Sequence, residues 1–474
     1  MSANRRSFLK WGGLASLSLI GARINTYANP VLDINHGNPL KKEGAARFNM
    51  CNYTAPKMDN VRVGIIGIGN RGKGFVARLS KIDGVTIQGL SDIVPSRVEE
   101  AKSKLDSKYN RPVSYTKSAD DWKNLCDRND IDLIYVATPW ALHTPMAVYA
   151  MEQGKHVCVE VPAATSIEES WQLVETSERT KKHCMMLENC CYDFFELLTL
   201  NMARQGFFGE IIHGEGAYIH DLYEGNFSRK KYDSNMWRLK ENASRNGNLY
   251  PTHGLGPICQ IMNINRGDQF DYMVSMSTND FMLGNKAEEM AAKDDFFKEY
   301  VGKPFRGNMN TSTIRTKNGK TIMLQHDVTS PRPYSRIHLI SGTKGFAQKY
   351  PLPGRIAISH NRFFNEKEMK EVEDRYTPDI VRKMGEIAQS IGGHGGMDFL
   401  MDWRTIDCIR NGLPLDQDVY DAAAWSSIMP LSAASLKNRS GSVDIPDFTR
   451  GNWKTNVPLN LSLEKGGTTK LRGK

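Results

Sequence analysis

Val61-Arg62-Val63-Gly64-Ile65-Ile66-Gly67-Ile68-Gly69-Asn70-Arg71-Gly72 is the stretch that decides the fold. Val61 to Ile68 is apolar apart from Arg62, as expected of a strand covered on both faces. A GxGxxG run follows at once, and Phe75 to Ile82 reads as a helix. Glycine is needed there because the turn is tight and the backbone must approach a pyrophosphate at a helix N-terminus. The run alone is a weak signal, and its surroundings strengthen it. Val85 to Leu90 reads as the next strand and ends in Ser91-Asp92, with Asp92 twenty residues beyond Gly72. An acidic side chain at that place accepts hydrogen bonds from ribose hydroxyls and repels a 2′-phosphate, which favours NAD over NADP. Arg97, nearby, weighs the other way. Gly67, Gly69, Gly72 and Asp92 are therefore cofactor candidates.

Outward from this stretch, helix and strand alternate. Pro95 to Asp106, Pro145 to Glu152 and Glu168 to Lys181 read as helices; Ile131 to Ala137, His156 to Glu160 and His183 to Leu187 read as buried strands. Such βαβ alternation predicts a doubly wound parallel sheet, a Rossmann domain spanning residues 58–188. Beyond Glu188 the apolar pattern lengthens into alternating strands: Ile211 to Ile219, Phe270 to Ser277, Thr311 to Arg315, Thr321 to Asp327 and Arg336 to Ile340. These predict a C-terminal α+β domain over residues 189–455 with a largely antiparallel sheet, followed by a tail, 456–474. Lys286 to Tyr300 reads as a charged amphipathic helix inserted at the surface. No flexible linker separates the domains, so a cleft between tightly joined halves is expected.

The chain has 474 residues, which suits two domains better than one. Apolar residues at 40% and charged residues at 24% are those of a globular protein. The net charge of +9 is spread along the chain without a dense basic block, which argues against a nucleic-acid partner. Asn4-Arg5-Arg6-Ser7-Phe8-Leu9-Lys10 precedes a short apolar run to Ala22. That run falls short of the roughly 20 residues needed to cross a bilayer. Paired arginines ahead of it predict a twin-arginine export signal over residues 1–30, cleaved after Ala22 or Ala28, and a periplasmic destination. No later segment reads as a membrane anchor. The eight cysteines form no CxxC pair and no zinc-like spacing, so no structural metal is expected. Disulfides stay open, although Cys158 and Cys184 fall in strands expected to be buried.

Ala137-Thr138-Pro139-Trp140-Ala141-Leu142-His143 follows the strand Ile131 to Ala137, and Glu160-Val161-Pro162 ends the next one. Both fall at the carboxyl edge of the sheet, where ligands bind in this architecture. A strand ending in Thr-Pro, a histidine shortly after it and a Glu-X-Pro resemble the glucose–fructose oxidoreductase/inositol dehydrogenase superfamily. Most dehydrogenases of that superfamily carry a lysine between Glu and Pro that assists hydride transfer. Here the residue is Val161, so a cation near a developing alkoxide is missing.

Further segments narrow the resemblance: Glu188-Asn189-Cys190-Cys191-Tyr192, Gly216-Ala217-Tyr218-Ile219-His220, Trp237-Arg238, Tyr250-Pro251-Thr252-His253-Gly254, Arg332-Pro333-Tyr334 and Gly392-Gly393-His394-Gly395-Gly396-Met397-Asp398. From about Val61 to Trp453 the chain resembles glycoside hydrolase family 109, the NAD-dependent α-N-acetylgalactosaminidases. The resemblance implies NAD contacts at Asn70, Arg71, Asp92, Trp140, Ala141, Leu142, His143, Glu160, Val161, Asn189 and Tyr250. It implies sugar contacts at Tyr218, Arg238, Tyr250, Pro251, Thr252, His253 and Tyr334. It also implies a redox-neutral cycle in which the sugar is oxidised at C3, loses its C2 proton and its C1 substituent, takes up water and is reduced again. Tyr250 and His253 are the expected proton carriers, with Tyr218 and Tyr334 assisting, since phenol and imidazole both bind hydroxyls and move protons. The expected partner is a glycan; a homo-oligomer is left open. His143, at a loop edge, could equally be structural; His394 reads more readily as structural than catalytic, and His220 could be a core residue. The alternatives are an exported sugar or inositol dehydrogenase with net NAD reduction, and a sugar-binding protein that holds NAD without turnover.

Overall fold

The computed structural model describes residues 48–229 and 236–473; the segment read as an export signal lies outside them. Six short strands form the first sheet: β1 (Val61–Ile66), β2 (Val85–Ser91), β3 (Val113–Tyr115), β4 (Leu133–Val136), β5 (His156–Val159) and β6 (Cys184–Met186). Their order is β3-β2-β1-β4-β5-β6, and every pairing is parallel. All residues of β4 and β5 are buried, which is why their sequences run apolar without alternation. The strand order reverses between β1 and β4, and that reversal opens a crevice at the carboxyl ends. β3 has no counterpart in the sequence reading: it is a three-residue edge strand with Val113 half exposed, too short to carry a pattern.

The second sheet contains β7 (Ile211–Ile219), β8 (Phe270–Ser277), β9 (Asn310–Thr316), β10 (Thr321–Asp327), β11 (Ser335–Gly342), β12 (Phe346–Gln348), β13 (Arg355–Ala357) and β14 (Val443–Asp444). Its order is β13-β12-β11-β7-β10-β9-β8-β14, antiparallel except where β7 meets β10. The fold is thus an N-terminal Rossmann sheet followed by a largely antiparallel α+β region, as the sequence predicts.

Two features of the second half set the position of the site. The helix Thr252–Met262 lies directly on β7, because a Cβ on Gly216 would stand 2.3 Å from the carbonyl oxygen of Gly254. Only a glycine pair allows that approach, and it brings Tyr218 of β7 beside His253 of the helix. In β11 the register with β7 shifts around Ile337, where Ile337 and His338 take positive φ values of 59° and 47°. A β-branched residue in that region marks a strained bulge.

The helices Met397–Asn411 and Val419–Lys437 return from the far end of the chain to pack on the Rossmann half; the second also packs on β8. Trp403 and Trp425 on them are completely buried. One continuous apolar core therefore runs through both sheets. The segment expected as a single helix to Tyr300 is two: Leu283–Ala291, then a 3₁₀ turn Asp295–Tyr300 begun by Asp294, whose side chain accepts from Phe296 N. Phe297 and Tyr300 point inward and form a separate small core with Phe227, Met236 and Leu239. All eight cysteines are buried and unpaired. Among the described residues no helix is long and apolar enough to cross a membrane.

Candidate active site

The glycine run does what its spacing requires. Gly67 has a φ of +86°, and a Cβ there would lie 2.6 Å from the carbonyl oxygen of Ala137. A Cβ on Gly72 would fall 1.7 Å from the carbonyl oxygen of Gly67, whereas one on Gly69 would meet nothing within 4 Å. Gly69 thus leaves open space at the start of the helix Gly72–Leu79, whose N-terminus has no side-chain cap and no acidic residue in its first turn. A helix N-terminus that opens onto free space without a side-chain cap is suited to a phosphate. Asp92 accepts from Ile68 N at 2.7 Å and from Val94 N at 2.8 Å, and Arg97 stands 3.6 Å away. Asp92 therefore shapes the turn; a carboxylate offers about four acceptor positions, which leaves room for ribose hydroxyls.

A cavity of about 1470 Å³ begins at this turn and ends at Trp237, Arg238 and Tyr250, passing Asn70, Arg71, Trp140, Leu142, Glu160 and Val161. Pockets for single small molecules span about 300–1,000 Å³, so this one has room for a dinucleotide and part of a second ligand. The residues fit NAD. His143 also lines it, but its ring is committed: Nδ1 lies 2.7 Å from the carbonyl oxygen of Pro162 and Nε2 2.7 Å from that of Thr138. Burial depresses its pKa, against the two carbonyl contacts, which favour the charged ring. His143 joins two loop ends, and any cofactor contact is made by the backbone it holds.

At the other end of the cavity the aromatic residues assemble. Tyr218 and Tyr250 stand 4.6 Å apart between centroids, and His253 packs edge-on against both, at 5.5 and 4.9 Å. Trp140 closes one side, 5.8 Å from Tyr250, and Arg238 lies over the rings of Trp140, Trp237 and Tyr250. Tyr334 faces His220 edge-on at 5.1 Å and receives a hydrogen bond of 3.3 Å from Arg336. Burial, with smaller repulsion from Arg238 and His253, keeps His220 below its ordinary pKa, and its Nδ1 shares a hydrogen bond of 2.8 Å with the hydroxyl of Tyr218. Burial pushes the Tyr250 phenol well up despite Arg238, and it stays protonated at neutral pH. Pro251 and Thr252 are buried where the helix begins and support the site from behind.

Three residues absent from the sequence-based set complete the arrangement. Glu188 has no exposed surface, and its two carboxylate oxygens lie 2.7 and 2.9 Å from Nδ1 of His253. Burial alone would raise its pKa; interaction with His253, with further hydrogen bonds from Thr252 and Cys190 N, reverses this and holds it low. Asp398, equally buried, receives Asn189 Nδ2 at 2.5 Å, Arg71 Nη1 at 3.0 Å and His394 Nδ1 at 2.8 Å. His394 is more than half exposed. The sequence displayed these residues in conspicuous segments, but nothing in their spacing paired Glu188 with His253, 65 positions on. Donor atoms of Glu188, Cys190 and His253 lie within 4.8 Å of one another. Glu188 is already the acceptor for His253 and for Cys190 N at 3.0 Å, so proton handling accounts for the trio.

Comparison with known proteins agrees with this geometry. Residues 192–455 match the family model for the glycosyl hydrolase 109 C-terminal domain, and residues 61–188 that for the oxidoreductase family, NAD-binding Rossmann fold. The chain is 45% identical over 472 residues to a glycosyl hydrolase family 109 protein of Shewanella pealeana, covering 97% of this chain and 99% of that one. It is 47% identical over 439 residues to a protein of the same description from Porphyromonas gingivalis, covering 88% and 91%. Among solved structures, levoglucosan dehydrogenase in complex with NADH and levoglucosan matches with a TM-score of 0.61 at 18% identity, over 82% of this chain and all of that one. Scyllo-inositol dehydrogenase of Lactobacillus casei, with NAD(H) and scyllo-inositol, matches with a TM-score of 0.57 at 14% identity over the same shares. These two likenesses concern the fold. The Rossmann half is an NAD-binding domain.

Proposed function

The chain belongs to glycosyl hydrolase family 109, and from that premise we propose that it hydrolyses terminal α-N-acetylgalactosaminides of glycans without net redox change. The observation that carries this reading is the Glu188–His253 pair among Tyr218 and Tyr250, at the end of a dinucleotide cavity whose wall bears Val161 in place of a cation. When bound, NAD supplies an acceptor that takes a hydride from the sugar and later returns it, and this is what suits an oxidoreductase fold to hydrolysis.

The protein's own part is proton transfer and positioning. Glu188 holds His253 by Nδ1, so the imidazole presents Nε2 to the site as a base. Oxidation of a neighbouring carbinol acidifies the proton that such a base removes from the sugar ring. The buried phenol of Tyr250 donates a hydrogen bond to a sugar oxygen, Tyr218 is held beside it by its bond to His220, and Arg238 fixes the ring by its guanidinium. On the open side, His394 rests on Asp398 in the same Nδ1-to-carboxylate manner. This exposed imidazole is suited to protonating the departing oxygen and to deprotonating the incoming water. Export by the twin-arginine route belongs to the same proposal, and cell fractionation tests it.

Purified protein is given a nitrophenyl α-N-acetylgalactosaminide while nitrophenol and NADH absorbance are followed together. Release of nitrophenol with no net NADH is the expected result. NADH accumulation from free sugar with added NAD, and no nitrophenol, would replace this reading with a dehydrogenase.

A further inference from the structure

Asp398 stands at the meeting point of two loops that the sequence keeps far apart. One is the dinucleotide turn, from which Arg71 comes; the other is Gly392–Gly396, which brings His394. We propose that Asp398 is the positioning residue that couples them, so that occupation of the cofactor site and the placement of His394 depend on one carboxylate. The role assigned to His394 rests on the glycosidase reading; the coupling itself does not.

The geometry is specific. Oδ1 receives Asn189 Nδ2 at 2.5 Å, while Oδ2 is shared between Arg71 Nη1 at 3.0 Å and His394 Nδ1 at 2.8 Å, with Arg78 Nη1 at 3.6 Å. Arg71 is further tied to Glu160 at 2.6 Å, and Arg78 to Asp402 at 2.6 Å. A carboxylate this buried needs its partners, because an uncompensated charge inside a protein is costly. Displacing Arg71 would therefore redistribute the bonds at Oδ2, and His394 is the neighbour on the more deformable support.

That support is deformable because of its backbone. Gly392, Gly393, His394, Gly395 and Gly396 all have positive φ: 90°, 89°, 48°, 72° and 106°. No ordinary helix or strand continues through five such residues, and a histidine there is conformationally unfavourable. The loop is held at its ends. Gly393 lies so close to Asp398 that a Cβ would stand 2.7 Å from its Cβ, and Gly396 is similarly close to the backbone of Ala388. Between those ends, among the described residues, His394 is fixed to a buried group by its side-chain bond to Asp398, with Arg71 Nη1 a further 3.3 Å neighbour of the same ring nitrogen. An enzyme that returns its hydride in every turnover gains by keeping its acid–base loop ordered only while the cofactor is in place.

The test is hydrogen–deuterium exchange over the peptide containing residues 390–398, in protein stripped of NAD and in protein resupplied with it, alongside NAD affinity by titration. In the wild type, NAD is expected to slow exchange in this peptide at least threefold. In Asp398→Asn the difference is expected to vanish and NAD affinity to fall at least tenfold. In His394→Ala, NAD affinity is expected to stay within threefold of wild type, since Arg71 and Asn189 keep their acceptor. Should Asp398→Asn fail to fold, Gly393→Ala displaces the loop against an intact carboxylate and is expected to abolish the same NAD-dependent difference. An unchanged NAD-dependent difference in the folded Asp398→Asn variant, or none in the wild type, overturns the coupling. Wild-type protein that shows the difference but cleaves no glycoside would leave the coupling standing and remove the glycosidase reading alone.

Discussion

Nδ1 of His253 faces both oxygens of Glu188, at 2.7 and 2.9 Å, and that carboxylate has no contact with solvent. The bond fixes which ring nitrogen carries the proton, and a Cβ on Gly256 would come 2.9 Å from Cγ of Glu188, so the carboxylate is also wedged in place. Glu188→Gln keeps the shape and removes the charge that stabilises a protonated ring. A fall in kcat of about 10²–10⁴-fold is expected, the usual contribution of a positioned base, with KM within about threefold because Arg238 and the tyrosines still hold the sugar. Steady-state kinetics check it, with Glu188→Asp expected to recover part of the loss. Wild-type kcat in a well-folded Glu188→Gln would remove the carboxylate from the mechanism.

The two glycines of the turn separate cofactor binding from folding. Gly69→Val adds side chain only into open space, so the NAD-free protein should lose no more than about 0.5 kcal/mol, the usual range for a surface change. Its NAD affinity should drop by at least tenfold, since the added methyls occupy the phosphate position. Gly72→Ala instead forces a Cβ to 1.7 Å from the carbonyl oxygen of Gly67, and the turn must open at a cost of about 1–3 kcal/mol or more. Urea unfolding and NAD titration of the two variants measure these effects. Equal stability losses in both would show that the space at Gly69 is not kept for a ligand.

These contrasts also show what the sequence could reveal. The strands Ile211–Ile219, Phe270–Ser277 and Thr321–Asp327 were legible to the residue because each alternates or runs apolar over seven to nine positions. The helix Val419–Lys437 was not placed: it is buried on nearly every side between the two sheets, so it carries no amphipathic stripe to read. In the site, the family resemblance pointed to Tyr218, Tyr250 and His253, which tertiary structure then brings within about one ring width. Glu188 and Asp398 escaped because His253, Arg71 and Asn189, which they hold, are distant in sequence, and periodicity carries no information about long-range pairs.

Acid should weaken the fold through two histidines remote from the site. His156 opens β5 and His183 immediately precedes β6; their rings are 5.0 Å apart, and Nδ1 of His156 accepts from His183 N at 3.0 Å. Burial, with nearby Lys182, depresses each pKa to about 3. The unfolded chain therefore binds more protons than the folded one between about pH 6.5 and 3. Their contribution to stability is complete above about pH 6.5 and is lost as the pH falls through that window. At pH 5 the loss is about 2 kcal/mol per histidine, before their mutual repulsion is counted. Urea unfolding at several pH values measures it. His183→Phe keeps a ring and removes one titration, so its stability should decline less steeply below pH 6.5; a slope equal to wild type would refute the assignment.

The thiols offer the last test, and it concerns how the chain reaches its folded state. All eight cysteines are buried and none is paired, and burial raises the pKa of every one, Cys126 and Cys184 to about 12. The thiolate is the reactive form, so both exclusion and protonation protect these groups. A thiol reagent should find essentially no reactive cysteine in the native protein and eight in guanidinium. The adjacent Cys190 and Cys191 are held apart in their chemistry by different neighbours: Cys190 Sγ donates to Asn189 Oδ1 at 3.6 Å, while Cys191 lies under Gly256. A chain with eight unpaired thiols is vulnerable to an oxidant only before its core closes. Refolding from denaturant should therefore give full yield with a reductant and a reduced yield with an oxidant, whereas the folded protein should tolerate the same oxidant. Fewer than eight thiols in the denatured protein would reveal a disulfide and would break this order of events.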